Sequence, residues 1–151
     1  MKDDEILAKG YELVTAAASG MTDMVELALE GGSDIHFQDD LALRSASFMG
    51  NMNVVKYLVE KGANVHASGN EALLYAAKQK NSEVVEFLLS KGASIDAMMR
   101  AHKAEINEEV FETLDKFQSR KLRDAFEKNF SKLPKPDQGG KFRLKPPSPS
   151  P

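Results

Sequence analysis

Large apolar residues recur along the chain in a pattern that repeats every 30 residues. In VVKYLVEKGANVHA, residues 54–67, apolar positions follow the spacing i, i+1, i+4, i+5 ahead of a glycine. The same spacing occurs in MVELALEGGSDIHF, residues 24–37, and in VVEFLLSKGASIDA, residues 84–97. This spacing places a single apolar stripe along an α-helix. The pattern therefore predicts three equivalent amphipathic helices.

A glycine follows each of these helices at the same position, Gly32, Gly62 and Gly92. The residue just past a helix end commonly adopts a left-handed conformation, which glycine reaches without steric strain. We therefore expect each helix to end at the same place in its repeat.

A second segment of helical spacing precedes each amphipathic helix: YELVTAAASG (11–20), LALRSASFMG (41–50) and EALLYAAKQK (71–80). The three segments share a leucine, at Leu13, Leu43 and Leu73, and a pair of small residues, at Ala16-Ala17, Ala46-Ser47 and Ala76-Ala77. Small residues allow two helices to approach closely, and the leucine fills the space between neighbouring units. The unit is thus a helix pair with an apolar face that only another unit can cover, which predicts a solenoid.

The stretch LALRSASFMGNMNVVKYLVEKGANVHA, residues 41–67, resembles the ankyrin repeat. The resemblance extends over residues 11–97 and implies an all-α solenoid of stacked helix-turn-helix units with short loops. The unit here is 30 residues, whereas the family unit has about 33. Trimmed units of this kind are similar to those common in large DNA viruses and some bacteria. The usual opening Thr-Pro is replaced by Leu41-Ala42 and Glu71-Ala72, so we expect Asp40 and Asn70 to act as helix N-caps.

The repeat defines the expected domain organisation. An ankyrin-repeat domain, residues 1–133, contains units at 11–40, 41–70 and 71–97, a degenerate cap unit at 98–118 and a closing helix at 119–133. The alternative for residues 119–133 is a helix that binds another protein. Residues 134–151, PKPDQGGKFRLKPPSPSP after Leu133, are expected to form a disordered, basic, proline-rich tail.

Composition narrows the functional classes. The 151 residues contain no cysteine, which excludes disulfides, thiolate metal sites and cysteine nucleophiles. The chain carries no apolar run long enough to cross a membrane, and its first residues are acidic where a secretory signal would be basic. We expect a cytoplasmic protein, or one acting in a host cytosol after delivery. Residues 1–97 have 15 acids and 8 bases, and residues 132–151 have five bases and one acid.

No motif in the sequence indicates catalysis. His36 and His66 occupy equivalent repeat positions, where a polar side chain ties adjacent loops together, so we interpret them as structural. Layers of helices about 10 Å apart would also keep them too far apart to share a metal ion. The carboxylate pairs Asp39-Asp40 and Glu108-Glu109 are merely adjacent in sequence. We therefore expect no enzymatic activity, no catalytic residue, no metal site, no cofactor and no small-molecule substrate.

The resemblance to ankyrin repeats implies protein recognition through a concave surface of loop tips and outward positions late in each first helix. In this sequence those partner-binding positions are Gln38, Asp39, Asp40, Phe48, Met49, Ser68, Asn70, Lys78 and Gln79. The pair Phe48-Met49 is the most informative, because a large aromatic and a thioether facing solvent favour an interface. The alternative is that Phe48 packs against the neighbouring unit as core. Asp39 and Asp40 would favour a partner with basic or mixed surface charge.

The oligomeric state is expected to be a monomer. The alternative is a dimer, formed through Phe48-Met49 or through residues 119–133. Nucleic acid fits the acidic body poorly because phosphate repels it. A weak nucleic-acid contact through the basic tail is a further alternative.

Overall fold

The computed structural model describes residues 2–117, and within this range the chain forms helices and no strand. The helices are α1 Asp3–Ala18, α2 Thr22–Glu30, α3 Phe37–Met49, α4 Met52–Glu60, α5 Ala67–Lys78, α6 Ser82–Ser90 and α7 Ile95–Ala101. A 3-10 turn at Lys103–Glu105 follows. A further helix, α8, is described over residues 108–117.

The helices form pairs, and the pairs stack in chain order. The first helices pack α1 on α3, α3 on α5 and α5 on α7. The second helices pack α2 on α4 and α4 on α6. Each first helix also packs on its own second helix, α1 on α2, α3 on α4 and α5 on α6. The predicted solenoid of helix pairs is therefore confirmed.

The core lies along the seam between the units, where the repeated residues predicted it. The three leucines Leu13, Leu43 and Leu73 are buried, and so are the small residues beside them. The stripe on the second helices is buried at Val25, Val54, Val55, Leu58, Val84, Val85 and Leu88. The small residues bring the first helices close, and the branched side chains fill the space that remains.

Glycine ends each second helix in the predicted left-handed conformation. Gly32, Gly62 and Gly92 have φ of 95°, 101° and 93°. A side chain at Gly62 or Gly92 would meet no atom within 4 Å, so the backbone angle and not space requires glycine there.

Each of the two inner first helices, α3 and α5, contains a left-handed turn near its start. Residues 38–40 and residues 68–70 all have positive φ, between 48° and 67°. The right-handed helix thus begins only after Asp40 and Asn70. Neither side chain caps its own helix, because both are turned toward the following unit. The prediction that Asp40 and Asn70 are N-caps was wrong for this reason.

The fourth unit omits this left-handed turn. Its first helix, α7, begins at Ile95, directly after Ser94, whose side chain accepts a hydrogen bond from the Ala97 N–H at 3.1 Å. Met98 and Met99 are buried, and Val110, Phe111 and Leu114 bury the inner face of α8. The degenerate segment therefore contains a fourth helix pair, whose first helix is shortened to seven residues.

The N-terminal boundary of the stack differs from the prediction. α1 begins at Asp3, eight residues before the predicted start at Tyr11. The first unit is longer than predicted because residues 3–10 continue α1 backward, with residues 3–8 exposed and Gly10 buried, whereas the equivalent residues 38–40 and 68–70 form left-handed turns. The predicted closing helix at 119–133 and the predicted tail at 134–151 lie outside the described residues.

Candidate functional site

The loops between the units are fastened by buried polar side chains. Asp40 is 3% exposed, and its Oδ1 accepts a hydrogen bond from the Asn64 N–H at 2.8 Å. Asn70, also 3% exposed, accepts one from the Ser94 N–H at 2.9 Å. Both bonds span 24 residues and link one loop to the next. These contacts hold the loop tips at a fixed spacing along the stack.

The two repeated histidines, His36 and His66, have a structural role, but each contacts a side chain of its own loop. His36 Nδ1 lies 3.1 Å from Asp40 Oδ1, and His66 Nδ1 lies 3.1 Å from Asn70 Oδ1. Each histidine thus holds, within its own loop, the side chain that reaches the next loop. The prediction that the histidines themselves cross between loops was wrong. His102 does make such a link, because its Nε2 lies 2.9 Å from the Ser68 carbonyl oxygen.

The most exposed apolar pair on the first helices is Phe48-Met49, at the end of α3. Phe48 is 43% exposed and Met49 is 57% exposed. Phe48 also contacts the next unit, because its ring meets the Tyr75 ring edge-on with the centroids 5.7 Å apart. The contact holds the ring in place without burying it. Phe48 is therefore a supported surface residue and not part of the core.

A polar network lies beside this pair. Arg44 and Glu71 form a largely buried ion pair between α3 and α5. The Tyr75 hydroxyl donates to Glu71 Oε1 at 2.7 Å, and this hydrogen bond is the main cause of a pKa of Tyr75 above its ordinary value. Arg44 also donates to the carbonyl oxygens of Gln38 at 2.7 Å and Asp39 at 3.0 Å. The network joins the loop tip to two successive helices and fixes its shape.

Similar contacts join the first helices on both sides of this network along the stack. Gln38 Nε2 donates to the Tyr11 hydroxyl at 3.0 Å. Lys78 forms an ion pair with Glu105, and the hydrogen bond from Lys78 is the main cause of the lowered pKa of Glu105. Tyr11 with Gln38, Arg44 with Glu71 and Lys78 with Glu105 are each 27 residues apart. We call the residues Gln38, Asp39, Arg44, Phe48, Met49, Ser68, Glu71, Tyr75, Lys78, Gln79 and Glu105 the first-helix surface.

The predicted partner-binding residues divide into two groups. Gln38, Asp39, Phe48, Met49, Ser68 and Gln79 are exposed, and Lys78 is partly exposed. Asp40 and Asn70 are buried and engaged with the next loop, which removes them from the surface that a partner can touch. The predicted acidic rim therefore reduces to Asp39. Asp40 and Asn70 instead position the exposed loop tips.

The sequence interpretation missed Arg44, Glu71, Tyr75 and Glu105. The spacing of 27 residues between oppositely charged Arg44 and Glu71 was an available signal, because it is the repeat length less about one helical turn. Serine and threonine occupy the equivalent positions 45 and 15, so the repeat predicts no aromatic residue at position 75.

Two classes of site are not found within residues 2–117. No group of three or more histidine, aspartate or glutamate side chains in this range is arranged to hold a metal ion. No helix in the same range is long and apolar enough to cross a membrane.

The stacked helix pairs of residues 2–117 define a helical-repeat protein of the solenoid class. A family model for ankyrin repeats in three copies matches residues 13–99. The chain belongs to the ankyrin-repeat family, whose repeats are generally protein–protein interaction modules and typically non-catalytic. No curated protein matches the sequence.

Proposed function

We propose that this protein binds another protein through the first-helix surface, without catalysis. The observation that carries the proposal is the exposure of adjacent apolar side chains, Phe48 at 43% and Met49 at 57%, at the end of α3. Charged and polar residues surround the pair. An apolar centre with a polar surround is the usual anatomy of an interface hot spot.

The support beneath this pair favours rigid docking. Phe48 rests against Tyr75, and Tyr75 is held by Glu71, which pairs with Arg44. A surface whose side chains are already ordered loses less conformational entropy on binding. The network therefore supports recognition by a preformed shape.

The charge of the surface favours a partner with basic or mixed surface charge. Arg44 and Lys78 are paired with Glu71 and Glu105, so these four charges balance. Asp39 is exposed and forms no ion pair within residues 2–117, which leaves the loop tip negative. A basic group on the partner would be attracted to this tip and would associate faster at low salt.

The proposed role is that of an adaptor or an inhibitor. The trimmed repeats are similar to those of large DNA viruses and some bacteria, which supports a host-directed factor from a virus, a phage or a bacterium. The absence of cysteine agrees with action in the cytoplasm or in a host cytosol. Three to four units would bury about 600–800 Å² per partner, an interface of ordinary size or slightly below.

Replacement of the apolar pair tests the proposal. The double variant Phe48→Ala, Met49→Ala is compared with the wild-type chain in affinity capture from a lysate of the source organism or its host, with mass spectrometry of the captured proteins. The double variant Ile6→Ala, Leu7→Ala is the matched control, because this adjacent apolar pair is 45% and 46% exposed near the start of α1 and lies outside the first-helix surface. We expect a protein captured by the wild type and the control to be lost from the Phe48 and Met49 variant.

Thermal unfolding of the same three proteins separates binding from stability. An unchanged melting temperature with loss of the partner supports an interface. A large drop in the melting temperature of the Phe48 and Met49 variant would assign Phe48 to the core and contradict the proposal. Light scattering at increasing concentration tests self-association, because a dimer lost in that variant would show that the pair contacts a second copy instead.

A further inference from the structure

The N-terminal end of the stack carries an open apolar groove, which shares no residue with the first-helix surface and adjoins it where Tyr11 accepts a hydrogen bond from Gln38. It lies between α1 and α2 and has a volume of about 720 Å³. Its lining residues are Ala8, Tyr11, Glu12, Thr15, Ala16, Ser19, Met21, Met24, Leu27 and Ala28. Four of the large side chains are half exposed: Tyr11 at 50%, Met21 at 55%, Met24 at 48% and Leu27 at 58%.

In the inner units, the face equivalent to this groove is covered by the helices of the preceding unit. Met24 is equivalent to Val54 and Val84, which are 0% and 1% exposed and lie on second helices that pack on a preceding second helix. Glu12 is equivalent to Ala42 and Ala72, which are buried against a preceding first helix. The same positions in the first unit thus form the receiving face for a helix. No helix within residues 2–117 occupies it.

One departure shows that the occupant is not another ordinary repeat. Asn51 and Asn81 donate hydrogen bonds to the end of the preceding first helix, Asn51 to the Ala17 and Ala18 carbonyl oxygens at 2.9 Å. Met21 occupies the equivalent position in the first unit and cannot donate such a bond. The polar link between repeats is therefore replaced by an apolar contact. This favours a helix held by its apolar stripe.

The charge around the groove defines the flanks of that helix. Glu12 lines the groove, and Asp4 and Glu5 lie one helical turn before Ala8 on the same side of α1. The lining contains no lysine or arginine, and residues 2–30 have seven acids and two bases. The same face of a second copy would bring acids against acids. Charge therefore disfavours pairing of two N-terminal faces and favours a basic occupant.

We propose that this groove, whose lining combines Met21, Met24 and Leu27 with Glu12, docks an amphipathic α-helix of a partner protein that carries basic residues beside its apolar stripe. Apolar side chains of the helix pack on the two methionines and the leucine, and its lysines or arginines face the acids of α1. The site shares no residue with the first-helix surface. Two separate surfaces would let one molecule bridge two proteins.

Methionine NMR on the full chain tests the proposal. The protein is labelled at the methionine methyl groups and titrated with a synthetic amphipathic Leu/Lys helix about five turns long. A Leu/Glu helix with the same apolar stripe is the matched peptide. We expect the Met21 and Met24 signals to shift with the Leu/Lys peptide, and to need about tenfold more of the Leu/Glu peptide for the same shift. Met49 reports on the first-helix surface, and Met98 and Met99 report on the core.

Two variants locate the contact. Leu27→Glu should abolish the shifts of Met21 and Met24, whereas Met49→Glu should leave them unchanged. Glu12→Lys should weaken Leu/Lys binding about tenfold and strengthen Leu/Glu binding, whereas Glu60→Lys, an exposed acid on α4, should do neither. Circular dichroism confirms that each variant remains folded.

Three results would overturn the proposal. The first is no shift of Met21 or Met24, or equal shifts with both peptides. The second is a shift confined to Met49, which would assign the peptide to the first-helix surface. The third is a change of the Met21 and Met24 signals on dilution without peptide, together with a dimer in light scattering, which would assign the groove to a second copy. Loss of partner capture in the Phe48 and Met49 variant bears on neither peptide, so the two proposals fail separately.

Discussion

The Asp40 carboxylate accepts a hydrogen bond from the Asn64 backbone N–H at 2.8 Å, and so one loop of the stack is fastened to the next. In the following unit Asn70 makes the same bond to the Ser94 N–H. Aspartate in one unit and asparagine in the next therefore make equivalent hydrogen bonds. What the position requires is an acceptor oxygen on a short side chain that tolerates a left-handed backbone, with φ of 56° at Asp40 and 60° at Asn70.

Substitution of Asp40 should therefore separate the acceptor from the charge. Asp40→Ala removes the part-buried hydrogen bond from the Asn64 N–H to a carboxylate, and we expect a loss of about 1–3 kcal/mol in the free energy of unfolding. Asp40→Asn keeps the acceptor and reproduces the next unit, so it should be close to neutral. Urea unfolding measures both. Equal stability of the two variants would show that the hydrogen bond does not fasten the loops.

Removal of the Ser47 hydroxyl should stabilise the protein. Ser47 is fully buried, and its Oγ has no hydrogen-bond partner within residues 2–117. The equivalent positions hold Ala17 and Ala77, so alanine fits the space. A buried hydroxyl without a partner costs about 1–3 kcal/mol, and we expect Ser47→Ala to recover about 1 kcal/mol in urea unfolding.

The control for Ser47 is Ser45→Ala in the same helix, where the side chain is partly exposed. It reports the difference in helix propensity alone, about 0.5 kcal/mol. A gain at Ser47 no larger than the gain at Ser45 would contradict the prediction.

Lys80 is a second position where the chain departs from its own repeat at a cost. It has φ of 57°, and glycine occupies the equivalent positions Gly20 and Gly50 with φ of 73°. A left-handed residue with a side chain costs about 1–2 kcal/mol, against about 0.5–1 kcal/mol for the extra freedom of glycine in the unfolded chain. Lys80→Gly should therefore raise the free energy of unfolding by about 0.5–1 kcal/mol.

Lys56→Gly is the matched control for Lys80, since Lys56 is an exposed lysine in the interior of α4. There the same substitution should cost about 1 kcal/mol. Destabilisation of the same size at both positions would mean that Lys80 is not strained.

We expect the Tyr75 hydroxyl to lose its proton at a higher pH than an ordinary tyrosine does, because its pKa is raised. Its hydroxyl donates to the Glu71 carboxylate, and ionisation would break this bond beside a negative charge, so the pKa of Tyr75 lies above its ordinary value. Because the folded pKa exceeds the unfolded one, this contribution to stability is complete below about pH 10 and is lost as pH rises through the folded pKa. Tyrosine ring NMR follows the titration, with Tyr75→Phe for assignment.

Glu71→Gln should lower the pKa of Tyr75, because the amide removes the negative charge while Arg44, which lowers this pKa, remains. An unchanged pKa in this variant would show that the hydrogen bond to Glu71 is not the cause of the shift.

The repeat made most of the fold predictable. Glycine at 32, 62 and 92 and leucine at 13, 43 and 73 recur at one period, and each sits in the predicted environment. The loops were less predictable. Asp40 and Asn70 look like N-caps because a polar residue before a helix usually caps it, whereas a left-handed turn directs them to the next unit. That turn is stabilised by a contact 24 residues away, which local sequence does not encode.

Residues of the candidate site could be predicted from the sequence where a single side chain differs from those at the equivalent repeat positions. Phe48 and Met49 stand out because alanine, serine, lysine and glutamine occupy the equivalent positions. The supporting network of Arg44, Glu71 and Tyr75 depends on contacts between units, and their geometry follows from the angle at which successive helix pairs pack. Asp40 and Asn70 were predicted to bind a partner but are buried, because their burial depends on the same packing between units.

Within residues 2–117 the first unit packs on a neighbouring unit on one side only, and Met21, Met24 and Leu27 on its other side are exposed. In a linear array, where each layer touches only its neighbours, stability is a sum of unit and nearest-neighbour terms, and opening starts at the weaker end. Hydrogen exchange should therefore be fastest in α1 and α2 and slower in α3 to α6. A ligand seated against the two methionines would suppress this fraying and so raise the cooperativity of the whole array.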